Sequence, residues 1–381
     1  ILKQCSNHVP KVVFNFSLIS DKDVNELHEL GKGLLELYNS KSYQKTAFGI
    51  IDKIKPVLNV KILDQLDDML LSNITSSSPA FELGAPEIDT QPIGYMTISG
   101  SGSRTQFPDV SLSTFLNEVP QLQATGDLHA YRLVTHSIDG THKLKNWTLH
   151  KGLVGSLVID NKRYALNEGK WYRIDKALEQ SANSAFSAAS KGLDTACLPW
   201  PIIVGGKNGN SPAYEREEDF NARLCGTDAS RFLLFDQKLV SIPSIPGPGV
   251  EICDILDIKE RRLIHIKKSG RRSSIISHFL MQGMNSAKFL RTYDTVRDDF
   301  FAKIEAQVPK ETYASIIADF PQKWTVEYKF GDFPNAAGDY TIPFFSRVTL
   351  DEVKREVEAL GFKAVEVSFI RLSQPAKKAK S

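Results

Sequence analysis

Cysteine is scarce in this chain and lies scattered: Cys5, Cys197, Cys225 and Cys253 form no CxxC pair. That pattern argues against a disulfide framework or a structural zinc site, and it fits a reducing cytoplasm. No apolar run reaches the roughly 18 residues of a membrane span, and no basic-then-apolar leader is present. Excess charge of one sign is missing too, with 47 basic against 45 acidic residues and a net charge of +2. A nucleic-acid partner would therefore have to meet a local basic surface, because the global field steers little. There is no internal repeat, no GxSxG nucleophile elbow, and few aromatics near the basic stretches that could stack single-stranded bases.

What is present is the composition of a globular protein, 41% hydrophobic and 24% charged over 381 residues. A chain of that length exceeds one ordinary core and suggests roughly two to three domains. It opens at Ile1 in an apolar-rich stretch, which leads to the expectation that the natural chain begins earlier. Apolar residues at helical spacing predict helices over 21–38, 43–54 and 60–71, with a Ser/Pro/Gly-rich boundary at 75–92. Strand-like pieces follow at 93–100, 128–136 and 155–175. In the last of these, Asp160-Asn161 and the 167–169 stretch read as turns of consecutive hairpins. A helix over 176–190 leads into a Pro/Gly/Asn-rich connector at 197–215 that reads as a loop. Beyond it the order is helix (214–224), strand (231–236), strand (250–256), strand (262–268) and helix (273–290). A helix near 292–308, a helix at 350–360 and strands at 324–330 and 363–372 close the chain before a basic tail. The expected organisation is multidomain α+β: a helical region 1–90, a β-rich middle domain 91–197, an α/β core 198–300 and an α+β unit 301–381.

The stretch VEICDILDIKERRLIHIKK, residues 250–268, sets Glu251, Asp254, His265 and Lys267 among core-type Ile, Val and Leu. Ionised groups resist burial unless they are paired or bound to metal. A plain structural reading makes Asp254 and Lys267 an ion pair between neighbouring strands and His265 a packed histidine. The functional reading uses strand alternation, which puts His265 and Lys267 on one face with Asp254 beside them. Glu217 or Glu218 then project from the preceding helix. Carboxylates that hold Mg²⁺ or Mn²⁺ beside a lysine that orients a nucleophile are what phosphodiester hydrolysis needs. In a regular strand Glu251 and Asp254 point to opposite faces, so Glu251 joins such a site only across a bulge. The run KKSGRRSS, residues 267–274, adds Lys268, Arg271 and Arg272, with Ser273 and Ser274 at a helix start, as a phosphate cradle. Along that helix Ser274, His278 and Gln282 form a polar line spaced by four.

The order helix glutamate, strand aspartate, x-Lys strand, glutamine helix resembles the PD-(D/E)XK, or restriction-endonuclease-like, superfamily over about residues 214–290. The resemblance implies metal binding by Asp254 with Glu217, Glu218 or Glu251, and catalytic roles for Lys267 and Gln282. His265 stands where that pattern has an acid two positions before the lysine, and a neutral imidazole prefers transition metals to Mg²⁺. The longer pieces LNEGKWYRID (166–175), EEDFN (217–221), VEICDIL (250–256), LIHIKK (263–268) and IPFFSRVTL (342–350) resemble a sporadically distributed bacterial family found near anti-phage genes. That likeness implies a cytoplasmic defence context, with DNA or RNA as partner and a homo-oligomer or defence complex as the setting. The expectation is a metal-dependent nuclease. The competing expectation is a non-catalytic nucleic-acid-binding or sensor protein on a degenerate nuclease fold, and a third is a scaffold. His265-x-Lys267 also matches the start of a phospholipase-D-type motif, but Arg272 stands where that motif's aspartate belongs.

Overall fold

The computed structural model describes residues 52–373 apart from 77–79, 85–92, 109, 123–126, 138–140, 206–210, 241–248, 269–272 and 336, together with scattered positions between 28 and 49. Most of the helix expected over 21–38 lies outside these residues; described positions within it, such as His28 and Gly31, are helical. The fold is mixed α+β. Among the described residues no helix is long and apolar enough to cross a membrane.

The strands of the amino-terminal half pair antiparallel, some as local hairpins and some across long stretches of chain. A five-stranded sheet has the order Ile54–Pro56, Lys170–Ile174, Lys162–Asn167, Leu153–Ile159, Phe81–Leu83. Its two inner hairpins turn on Asp160-Asn161 (φ 48° and 58°) and Glu168-Gly169 (φ 50° and 74°). Positive φ at both central residues makes these two-residue turns whose twist matches that of the strands. A three-stranded sheet joins Ile93–Ser99, Arg132–Ser137 and Lys143–Thr148. The helix Val60–Ile74, capped by the Asn59 side chain, buries Leu66, Leu70 and Ile74 against this layer. In the stretch expected to be helical at 43–54, described residues form short 3₁₀ turns, and a strand begins at Ile54.

The carboxy-terminal half is organised by a six-stranded sheet in the order Phe232–Leu234, Ile255–Asp257, Arg262–Lys268, Thr325–Asp332, Ala364–Arg371, Ser190–Leu193. The first three strands form an antiparallel meander, and the remaining pairs are parallel. This sheet runs through the boundaries expected at 197 and 300. Parallel neighbours are joined by crossover helices and are distant in sequence, so local pattern does not announce the pairing. Within the expected loop 197–215, Ile202–Gly205 pairs with Ser211–Tyr214, and the helix expected from 214 begins at Glu217 and ends at Cys225. The helix expected from 350 begins at Phe344, directly after Pro343, whose fixed φ suits a helix start.

Strand alternation sorts the sheet's faces. Leu263, Val326, Tyr328, Phe330, Val365, Val367 and Phe369 join the core beneath the helices Ser273–Thr292 and Phe344–Ala359. Ile264, Ile266 and Ile370 pack on the other face with Trp200, Phe220 and Leu224, where Trp200 stacks on Phe220 at 4.3 Å. The helix Ser273–Thr292 lies close to the sheet because Gly283 has no side chain: a Cβ there would sit 2.5 Å from the Tyr328 hydroxyl. That hydroxyl donates to the Leu280 carbonyl at 2.6 Å. Gly283→Ala should therefore destabilise the fold by about 1–3 kcal/mol, the usual range for overpacking a filled core. Denaturant unfolding of Gly283→Ala, and of the same change with Tyr328→Phe, checks this: the second substitution should recover part of the loss.

Candidate metal centre

Of the strand expected over 250–256, Val250 makes an isolated antiparallel bridge with Val240 and the sheet's own strand runs only from Ile255 to Asp257, a late start for which one side chain accounts. The Asp254 N–H donates to Ile264 O at 3.0 Å. Further along the neighbouring strand the Ile266 N–H donates to Asp254 Oδ2 at 2.6 Å. A side-chain oxygen thus receives the N–H that a continued ladder would give to a backbone carbonyl. The chain preceding Asp254 leaves the regular register, which meets the condition that a straight strand could not. The Asp254 carbonyl in turn accepts the Phe235 and Asp236 N–H groups, both at 2.8 Å, and so holds the end of the first meander strand beside it.

Three carboxylates meet at this break. One ligand oxygen from each of Asp236, Glu251 and Asp254 lies within 4.8 Å of the others, and all three residues are half-buried. Glu251 and Asp254 hydrogen-bond to each other through their side chains, and the Glu251 carboxylate also takes the Gln237 N–H. Asp236 Oδ2 accepts from Asn221 Nδ2 at 3.0 Å. Gln237 holds the left-handed conformation at φ 62°, uncommon for a residue other than glycine. Its Nε2 donates to Glu218 Oε2 at 2.8 Å. Among the described residues none of the three acids has a basic side chain at ion-pair distance. Among the described residues two buried oxygens here have no hydrogen-bond partner: Glu251 Oε1 and Oδ1 of Asn221, a residue only 1% exposed.

Burial raises the Asp254 carboxyl well above the usual carboxylate range. Its bond from Ile266 opposes that rise, and the neighbouring Glu251 and Asp236 charges add to it. Burial raises Glu251 as well, with Asp254's hydrogen bond and the Lys267 charge acting against it. Without a cation the pair therefore holds a proton that two solvated carboxylates would release.

The other expected residues fall around this centre. Lys267 Nζ pairs with Glu217 Oε2 at 2.8 Å, replacing the Asp254–Lys267 pair of the plain structural reading. The Lys268 N–H reaches Glu217 Oε1 at 3.2 Å, and Lys268 Nζ stands 5.2 Å from the Tyr214 ring centroid. Glu217 is thus a partner of the lysine and not one of the three clustered acids; Glu218 pairs with Arg216 at 2.6 Å. Gln282 is exposed on its helix, one turn before Ser286, whose hydroxyl donates to Glu251 O at 3.1 Å. His265 lies in the core, 2% exposed, stacked on Tyr328 at 5.5 Å and edge-on to Phe279. Burial lowers its pKa to about 4, so it is neutral at physiological pH and stands apart from the acids. Arg271 and Arg272 lie outside the described residues, as do the side chains of Ser273 and Ser274. Sequence reading missed Asp236 and Asn221. The available signals were an acid at the end of the first meander strand and an Asn four residues after Glu217, on the same helix face.

The raised acids have a consequence for stability. A carboxyl that holds its proton more tightly folded than unfolded favours folding at low pH, and that contribution is lost as pH climbs from the unfolded value, about 4, through the folded one. Asp254→Asn keeps an oxygen for the Ile266 N–H and removes the charge. In chelator at pH 8 it should raise Tm by roughly 2–4 °C, the shift that 1 kcal/mol gives in domains of 150–250 residues. The gain should shrink toward pH 4; a lower Tm at pH 8 would contradict the assignment.

Comparison with curated proteins and with solved structures gives no match. The model of a family of unknown function, DUF6119, matches residues 14–371, and the chain belongs to that family.

Proposed function

We propose that this centre holds Mg²⁺ or Mn²⁺ and serves metal-dependent hydrolysis of phosphodiester bonds in DNA or RNA. The observation that carries the reading is the convergence of Asp236, Glu251 and Asp254, with an oxygen of each within 4.8 Å of the others. An all-oxygen donor set suits a hard divalent cation, and the buried Glu251 Oε1 without a partner is an acceptor such a cation would satisfy. A cation bound there would lower the pKa of a water and neutralise charge developing on the phosphate. Lys267, with its side chain 38% exposed and its amine held by Glu217, would orient the nucleophile or a phosphate oxygen. Lys268, Arg271 and Arg272, with Ser273 and Ser274 at the helix start, would bind flanking phosphates.

The order helix glutamate, aspartate, x-lysine strand and following helix agrees with the restriction-endonuclease-like resemblance and supports such a core over 214–290. The defence setting, the cytoplasmic location and an oligomeric or defence-complex partner rest on the second resemblance. A non-catalytic nucleic-acid-binding or sensor role is the second reading, favoured by His265 filling the expected acidic position with a buried neutral ring.

Labelled DNA and RNA incubated with Mg²⁺, Mn²⁺ or chelator separate these readings. Cleavage should require the metal and fall by about 10²–10³ in Asp254→Asn and in Lys267→Ala, the usual loss on removing one electrostatic group from an active site. Calorimetric Mn²⁺ binding should be lost in Asp254→Asn, kept in Lys267→Ala, and weaken as pH falls because the ligands must shed their proton. Nucleic-acid binding without cleavage in any metal would select the sensor. Neither binding nor cleavage would remove both readings.

A further inference from the structure

The motif IPFFSRVTL has no part in the acidic centre, yet its arginine stands at the junction of two adjoining cavities of about 150 and 560 Å³. Both are lined by Ala80, Glu82, Asn183, Thr341 and Arg347. They form one cleft between the amino-terminal sheet, the helix Lys176–Ala189 and the 335–347 stretch, elements that carry none of the three clustered acids. The larger cavity falls within the roughly 300–1,000 Å³ of small-molecule sites.

The Arg347 guanidinium is half-buried and bonded on three sides. Nε donates to Ile342 O at 2.9 Å, Nη1 to Asn183 Oδ1 at 2.8 Å and Nη2 to Thr341 Oγ1 at 2.5 Å. All three acceptors are neutral. Among the described residues no carboxylate lies within ion-pair distance; Glu82 acts on the guanidinium only at longer range, and Arg163 opposes it. Burying a cation among neutral partners leaves its desolvation poorly compensated. A guanidinium has five N–H donors, so among the described residues one remains without an acceptor on each Nη. That pair is the fork that takes a carboxylate or phosphate in two parallel bonds. The Phe186 ring lies 4.9 Å from the guanidinium carbon and restricts its swing. Glu82 and Asp339 on the wall make the cleft a poor fit for a bare polyanion and a better one for a molecule that also carries an amine.

We propose that this cleft binds a small molecule whose phosphate or carboxylate group is taken by Arg347 and whose amino group meets the acidic wall. The site is independent of the proposed metal centre. Calorimetry on the full chain in chelator, with AMP, L-glutamate and inorganic phosphate as probes, tests it. AMP or L-glutamate should bind saturably with Kd below about 1 mM, and which of them binds identifies the acidic group. Arg347→Lys, which loses the fork, should weaken binding at least about tenfold. Ser187→Trp should do the same by filling the larger cavity from an exposed position that makes none of the arginine's bonds. Binding by neither AMP nor L-glutamate, or binding that survives both substitutions, overturns the proposal. Loss in Ser187→Trp with full retention in Arg347→Lys overturns the role of the fork, and equal affinity for inorganic phosphate overturns recognition of the amine.

Discussion

The hydrogen bond from the Ile266 N–H to the Asp254 carboxylate decides the layout of the candidate centre. It closes an antiparallel ladder with a side chain in place of a carbonyl and frees the preceding residues from strand register. It also leaves the Asp254 carbonyl to draw in the Phe235 and Asp236 N–H groups. Three acids from two segments, Asp236 from the end of one strand and Glu251 and Asp254 from the approach to the next, are gathered by this single substitution of acceptor. Like charges at such separations repel, so the arrangement stands on neutral donors: a backbone N–H each for Asp254 and Glu251, an amide for Asp236, and a proton held between the first two. The backbone and amide donors hold the carboxylates in place without adding a positive charge, and burial leaves the Asp254–Glu251 pair readier to keep a proton than two solvated acids.

The same sheet contains a second set of buried charges that resolves its electrostatics differently. Lys329 Nζ lies 2.7 Å from Asp194 and 2.8 Å from Glu327. Arg262 Nη1 lies 3.0 Å from Glu327 and 2.6 Å from Glu366, and the Ser368 hydroxyl donates to Glu327 at 2.7 Å. Burial alone would raise the Glu327 carboxyl; Lys329 and Arg262 outweigh it and hold the group below its ordinary value. Each buried acid there has a basic partner, which is what structural ion networks require. The acids at Asp236, Glu251 and Asp254 have one another instead. This contrast within one sheet separates a structural solution from an arrangement suited to a cation.

What the sequence made legible follows the range of the interactions. The hairpins at Asp160-Asn161 and Glu168-Gly169 were readable because a two-residue turn with positive φ is chosen by its own residues. The strand Arg262–Lys268 and the helices on either side of the meander were readable from apolar spacing. The parallel pairing of Arg262–Lys268 with Thr325–Asp332, and of that strand with Ala364–Arg371, depends on contacts across about 60 and 40 residues, and pattern was silent there. In the site, Asp254, Glu251 and Lys267 stood out because charge among apolar residues needs an explanation. Asp236 sat at a strand end where acids are ordinary, and Asn221 carried no charge to draw notice.

His265 shows why a motif position and a spatial position need not coincide. By alternation it shares a face with Leu263, and that face is the helix-covered core, where its ring lies against Phe279 and Tyr328. Among the described residues its Nε2 is buried without a partner, so an acid there would face desolvation with few donors to offset it. The break at Asp254 instead brings Glu251 in from the preceding segment, where Gln237 and Asp254 supply its hydrogen bonds. The second carboxylate of the cluster therefore comes from upstream of the aspartate and not from two residues before the lysine. Burial at 265 lowers the imidazole's pKa to about 4, so the position holds a neutral ring packed between Phe279 and Tyr328 and contributes to the core instead of to the acids.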